Sequence, residues 1–363
     1  MRALAALLVV LFHLRIVEGK YGAGSPFLPG WIGFADGGVD LFFVISGFVM
    51  ATIAAGSYRS RSNATTFLLR RAWRILPLYW GYTTVVVLLM AIIPGAVNTS
   101  YQGQSIPASY LLWPQATLPV LTVGWTLIHE GYFYLVMAFA IACLPERAVP
   151  ALLAIWALVV GVGPHLLEAR SPGLDVLLSS MTWEFIAGVA VGLYWRRIPA
   201  VLGLPLLLLG AIGFVAGMIA LGHLSVPGLV PNRVAIFGLT SALMIAGAVV
   251  YESGRGSVSA PVWQAIGDSS YSLYLSHVFV ISAVGRLWKA SAFNVTAWEH
   301  GLFVLFATLL SLAVGLASYR WLERPLLVRG RSFIARTAAR LPLRFRSKAV
   351  VLNPHDDPSS KTA

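Results

Sequence analysis

An all-α, polytopic membrane protein with about ten transmembrane helices is what this sequence predicts, on three observations. Of its 363 residues, 58% are hydrophobic and 11% charged, against roughly 25% charged in a soluble domain. The mean hydropathy of +0.78 is spread over the whole length, so no water-facing surface can be assembled from what remains. Apolar runs long enough to cross a hydrocarbon core of about 30 Å recur along the chain, separated by Pro and Gly. Secreted enzymes, cytosolic nucleotide-binding folds and disordered scaffolds are thereby excluded.

The first run, 3–17, follows Arg2 with almost no flank, like the core of a signal peptide. Nine further runs come after it and no small-residue cleavage site follows Leu14, so it reads as a retained helix. The second run is 38–56 and the third 75–94, broken at Pro94-Gly95. An uncharged loop, 95–121, carries Tyr101, Tyr110, Trp113, Pro114 and Pro119 and is expected on the outer face. Then come 122–143, stopped at Leu144-Pro145, 149–167, holding Gly163-Pro164, and 177–195, closed by Ile198-Pro199. The last four runs are 200–222, ended by Val226-Pro227-Gly228, 233–251, 269–289 and 301–319.

An even number of spans puts both termini on one side. Placing that side in the cytoplasm puts 20 of the 26 Lys and Arg inside, ten from Arg2 to Arg255 and ten from Arg320 to Lys361, as the positive-inside rule requires. The net charge of +12 is thus read as orientation in a cell (inner or plasma) membrane rather than as affinity for nucleic acid. Residues 1–322 form the membrane-embedded domain and 323–363 a basic cytoplasmic tail. In that tail Arg329, Arg331, Arg336, Arg340, Arg344, Arg346 and Lys348 surround Phe333 and Phe345, a pattern that favours anionic lipid and also serves as a plain orientation signal. The lone Cys143 excludes a disulfide framework or thiolate metal site and is expected to be packing.

Charged and imidazole side chains inside a bilayer cost about 3 kcal/mol or more, so they usually face a cavity or a partner. From the rise of 1.5 Å per residue, His13 lies roughly 16 Å along the first helix from Arg2 and His277 roughly 12 Å into the ninth. Glu130 and Glu184 lie roughly 12 and 10 Å below the outer ends of the fourth and sixth. Asp40 is shallower, just inside the outer end of the second. The offset from Arg2 to His13 is almost three whole helical turns, so the two share a face. Arg70, Arg71 and Arg74 stand together at the expected start of the third span. These cations suit the phosphates of an anionic donor whose long arm carries its reactive end to the depth of His13; a coenzyme A thioester has that shape. The same residues have plainer readings: the arginines as topology markers, Glu184 and His277 as interhelical hydrogen-bond partners, Trp125, Trp183, Tyr132, Tyr134, Tyr271 and Tyr274 as packing or interface anchors.

Five segments resemble acyltransferase family 3. They are Arg2-Ala-Leu-Ala-Ala-Leu-Leu-Val-Val-Leu-Phe-His13, Gly38-Val-Asp40-Leu-Phe-Phe-Val-Ile-Ser46-Gly47-Phe48, Arg71-Ala-Trp-Arg74-Ile-Leu-Pro77, Gly124-Trp125-Thr-Leu-Ile-His-Glu130-Gly-Tyr-Phe133-Tyr134-Leu135 and Gly267-Asp268-Ser-Ser-Tyr271-Ser-Leu-Tyr274-Leu-Ser-His277. The match runs from residue 1 to about 325, and the fourth segment is closest to exopolysaccharide acetyltransferases. The resemblance implies a membrane O-acyltransferase that moves an acyl group, often acetyl, from cytoplasmic acyl-CoA (acetyl-CoA) to a hydroxyl of a carbohydrate or lipid-linked glycan acceptor at the outer side. It implies Arg2 and His13 as the essential first-helix pair and Arg71 and Arg74 as the Arg-x-x-Arg motif, with Glu130 as the acid of the fourth helix. His129 stands where a small or apolar residue is usual and Gly131 where a second acid often stands.

The expected chemistry is direct attack with general-base removal of the acceptor proton by neutral His13, Glu130 or Asp40 orienting the ring, and no metal; the alternative is an acyl-imidazole formed on His13. Arg2, Arg71 and Arg74 would bind the CoA phosphates, and Glu184, His277, Trp125 and Tyr271 the substrate. The rival classes are a proton-coupled secondary transporter and a non-enzymatic subunit of a polysaccharide export system.

Overall fold

The structure, a computed structural model, describes residues 1–93, 103–167, 170–224, 233–255, 260–291 and 293–340. Tyr101, the breaks at Pro94-Gly95 and Val226-Pro227-Gly228, and the tail's Arg344, Phe345, Arg346 and Lys348 lie outside the described residues.

Each expected apolar run falls on a helix. These are α1 (Arg2–Tyr21), α2 (Gly37–Ala54), α3 (Arg61–Ile92), α5 (Trp125–Cys143), α6 (Val149–Leu166), α8 (Thr182–Tyr194), α9 (Gly203–Leu224), α10 (Arg233–Arg255), α12 (Ser270–Ala290) and α13 (Ala297–Ser318). Three short helices connect them: α4 (Ile106–Leu111), α7 (Pro172–Leu177) and α11 (Pro261–Asp268). Among the described residues there is no strand. Through a π-helical turn at Tyr319–Glu323, α13 runs on into α14 (Arg324–Arg340), which lies back along α3. There the Trp73 and Phe333 rings stack at 5.3 Å and Trp73 Nε1 donates to the Leu326 carbonyl at 2.8 Å.

Among the described residues, eight helical segments are long and apolar enough to cross a membrane. The two long helices outside that set, α1 and α12, are the ones richest in chemistry. Arg2, Arg15, Glu18 and Lys20 dilute α1, and α12 is buried continuously from Ser270 to His277, walled in on every side. The more apolar helices supply the exposed surface instead: Ile155, Leu158 and Val159 of α6, Leu208, Leu209 and Ile212 of α9, and Leu305, Phe306 and Leu309 of α13 are all about half exposed or more. Oil-facing residues outside and polar residues within is the arrangement lipid demands, because hydrocarbon satisfies no polar group.

Helix α3 begins 14 residues before the expected span, with Ser60 capping the Asn63 amide. Arg70, Arg71 and Arg74 therefore lie inside a 32-residue helix rather than at its start. The early turns are polar, so hydropathy alone could not show them as helical.

Helices α2 and α8 cross at backbone contact. A Cβ at Gly47 would sit 2.2 Å from the Phe185 carbonyl oxygen, and one at Gly188 2.1 Å from that of Val44. This is small-residue packing of the kind that lets membrane helices approach without side chains between them. At the far end of α1, buried Glu18 accepts from the Phe27 and Leu28 amides and from His300 Nδ1 at 2.9 Å, tying α1 to α13. Cys143 ends α5 exposed; the expected packing role is overturned because α5 stops there and the chain turns away at Leu144.

Candidate active site

Two cavities lie along the axis of α1. The first, a narrow slot of about 90 Å³, is at the N-terminal end of α1. It is lined by Arg2 from α1, Ser46 from α2, Arg71 and Arg74 from α3, Glu130 and Tyr134 from α5, and Tyr271 from α12. The second, about 530 Å³, spans the C-terminal half of α1 and is lined by His13, Lys20, Asp36, Trp125, Arg233 and Arg286 among others. Its size is in the range that buries a small ligand.

Helix periodicity places the slot's cations. Arg71 and Arg74 are three apart on α3 and so share a face. The Arg71 guanidinium sits 5.7 Å from both the Phe67 and Tyr134 ring centres, a cation–π sandwich. Arg2 donates from Nε to the Ser270 hydroxyl at 3.1 Å, with Arg74, Glu130 and Glu323 in electrostatic reach. Glu130 Oε1 accepts from Ser46 Oγ at 3.0 Å and from Tyr134 OH at 2.5 Å. Glu323, buried, accepts from Ser272 at 2.6 Å. Three guanidinium groups against two carboxylates give the slot a cationic surplus, suited to an anionic group.

In the second cavity, hydrogen bonds fix the state of His13. Its Nδ1 lies 2.9 Å from the Val9 carbonyl and 3.2 Å from His277 Nε2. A carbonyl only accepts, so His13 Nδ1 carries the proton. His277 Nδ1 likewise faces the Leu273 carbonyl at 3.0 Å and carries its own. The single His13 Nδ1 proton is then shared between the nearer Val9 carbonyl and the lone pair of His277 Nε2, and His277 is neutral. What remains on neutral His13 is the Nε2 lone pair, on a residue that lines the cavity. Such a ring can take a proton while its other nitrogen is held in register from behind.

The expected carboxylate support for His13 is not what the structure has: among the described residues no carboxylate lies within hydrogen-bond distance of its ring. Glu130 faces the slot. Asp40 is fully buried and accepts from Arg233 at 2.6 Å, while Arg233 also pairs with Asp36. His277, expected to touch substrate, is fully buried and touches His13 instead. Glu184, also expected to touch substrate, is 1% exposed, lines neither cavity, and lies against Asp40 near Arg233. Trp125 lines the second cavity. Tyr271 lines the slot with its ring, its hydroxyl being taken by the Ile75 carbonyl at 2.9 Å.

Arg233, Asp36, Ser46 and Glu323 are site residues that sequence reasoning missed. Ser46 sat inside a quoted motif, and Arg233 was visible only as a cation opening an apolar run. Nothing local marks Glu323, whose role depends on the π-helical turn.

Comparisons with known proteins bear on this arrangement. An acyltransferase-domain family model matches residues 1–320. The exopolysaccharide production protein ExoZ of Rhizobium meliloti is 31% identical over 308 residues, covering 81% of this chain and 90% of that protein. Nodulation protein 10 of Rhizobium leguminosarum bv. viciae is 27% identical over 316 residues, covering 73% and 79%. The peptidoglycan O-acetyltransferase OatA of Listeria monocytogenes is 25% identical over 368 residues, covering 90% of this chain and 54% of that protein. No solved structure matches.

Proposed function

Since the chain belongs to acyltransferase family 3 and is a membrane O-acyltransferase, we propose that it transfers an acetyl group from cytoplasmic acetyl-CoA to a hydroxyl of a cell-surface carbohydrate or its lipid-linked precursor. The observation that carries this reading is the division between the cavities: Arg2, Arg71 and Arg74 converge on the slot, and the imidazole of His13 lines the larger cavity. Arg2, Arg71 and Arg74 hold the donor's phosphates, and the larger cavity takes the sugar.

In the reaction the acceptor oxygen attacks the thioester carbonyl carbon as His13 Nε2 takes its proton. The imidazolium so formed is stabilised by the His277 Nε2 lone pair through the proton on His13 Nδ1. The tetrahedral intermediate collapses, the C–S bond breaks, and the thiolate leaves and recovers the proton from His13 Nε2. Alcohol and thioester become ester and thiol, with His13 returned to its starting state. The carbohydrate acceptor is supported by two relatives, one a protein of exopolysaccharide production and the other a peptidoglycan O-acetyltransferase. Cytoplasmic termini and a cell-membrane location follow from the charge distribution on the same reading.

The test is radiolabelled acetyl transfer from acetyl-CoA to glycan by the purified protein in proteoliposomes. His13→Ala is expected to abolish transfer with expression and gel-filtration profile unchanged. Full activity in that variant overturns the base assignment, and no labelled glycan ester with the unsubstituted protein overturns the reading.

A further inference from the structure

Two side chains, Val39 and Tyr274, line both cavities. On the slot side the Tyr274 ring meets Phe42 edge to face at 6.2 Å, and on the other side it lies 6.0 Å from the His277 ring, which touches His13. Its hydroxyl is latched to the turn before α5, within 2.8 Å of both the Val123 carbonyl and Thr126 Oγ1. With Val39 beside it, Tyr274 is therefore a wall one ring thick between the cationic slot and His13, its hydroxyl pinned by Val123 in the turn before α5 and Thr126 in that helix's first turn.

A donor held by the arginines must bring its acyl carbon past that wall to reach an alcohol beside His13. We infer that Tyr274 is the gate between the donor and acceptor cavities: the ring swings aside when its hydroxyl leaves the latch, to admit a short acyl group, and in place it excludes longer chains and keeps the thioester from water in the larger cavity. This inference rests on the acyl-CoA reading above. Tyr274 is a positioning and selecting residue, not a catalytic one, since the base acts beyond it.

Selectivity between chains that differ by methylenes is what a wall controls, at roughly tenfold or more per methylene in a fitted pocket. In Tyr274→Ala the ratio of butyryl to acetyl transfer is expected to rise at least about tenfold, and acyl-CoA hydrolysis without acceptor is expected to appear. The opening has a second readout that needs no activity. With Val49→Cys lining the slot in a Cys143→Ser background, a membrane-impermeant thiol reagent admitted only from the His13 side of sealed vesicles is expected to react faster once the ring is gone. Where Tyr274→Ala fails to fold, Tyr274→Leu carries the same comparison. An unchanged butyryl-to-acetyl ratio together with equal labelling rates with and without the ring overturns the gate. If the unsubstituted protein uses no acyl-CoA, the donor reading fails, and the labelling comparison still decides whether Tyr274 separates the cavities.

Discussion

On the proposed reading, with His13 as the base, His277 is the residue on which its chemistry turns, although it lines neither of the two cavities. It shares the proton of His13 Nδ1 with the Val9 carbonyl and donates its own to a backbone carbonyl of its own helix. A base needs a partner that fixes its tautomer and lets positive charge spread when it is protonated, which a carboxylate supplies in many hydrolases. Here an imidazole does it, and the two acids that might have competed are committed elsewhere: Glu130 to Ser46 and Tyr134, Asp40 to Arg233. Replacing His277 by Ala is expected to lower kcat on the order of 10²-fold with little change in KM for either substrate, because the interaction lost is strongest in the transition state. His277→Gln, whose amide oxygen can accept the same proton, is expected to restore part of the rate. Equal losses in kcat/KM through KM alone would show that His277 acts on binding instead.

At the scale of the helices, the α2 and α8 crossing sets where Asp40, Ser46 and Glu184 lie. Gly47 and Gly188 leave no room for a side chain: the nearest atoms are carbonyl oxygens of the facing backbone, which cannot rotate away. Gly188→Leu is expected to abolish the folded protein, read as loss of the monodisperse peak in detergent. Gly131→Ala on α5, where a Cβ meets nothing within 4 Å, is expected to be tolerated and slightly stabilising, by about 0.5–1 kcal/mol, since alanine is the better helix former. A normal peak from Gly188→Leu would mean that the two helices are not in backbone contact.

These elements also mark how far a single sequence can be read. The apolar runs were legible because lipid requires about 20 consecutive apolar residues, a signal carried within one segment. The polar first turns of α3 carry no such signal, which is why its arginines were expected at a helix start and lie inside one. Pairings across the fold were beyond reach for the same reason. His13 and His277 are 264 residues apart, and nothing local to either says that they meet. The motifs gather Arg2, Arg71 and Arg74 into one site, and the slot unites them; they set Glu130 beside His13, whereas Glu130 lines the slot and His13 the other cavity.

Taken as one object, the molecule is polar along its own axis. The slot gathers residues from the N-terminal ends of α1 and α12, and the larger cavity residues from the opposite ends of the same helices, Lys20 and Arg286 among them. On the proposed reading, a donor site at one end of α1 and an acceptor site at the other, separated by Tyr274, imply transfer across the membrane. The expectation is vectorial. In sealed vesicles with all copies oriented alike, acetyl-CoA supplied on the side of the N-terminus supports acetylation of glycan confined to the other side, and acetyl-CoA supplied on the glycan's side supports none. Arg74→Ala is expected to raise the acetyl-CoA concentration needed for half-maximal transfer without reversing that sidedness, because it removes a phosphate contact and leaves both cavities in place. Labelled glycan appearing equally from either arrangement would show that donor and acceptor enter by a common door, and the separation of the cavities would then have no part in the reaction.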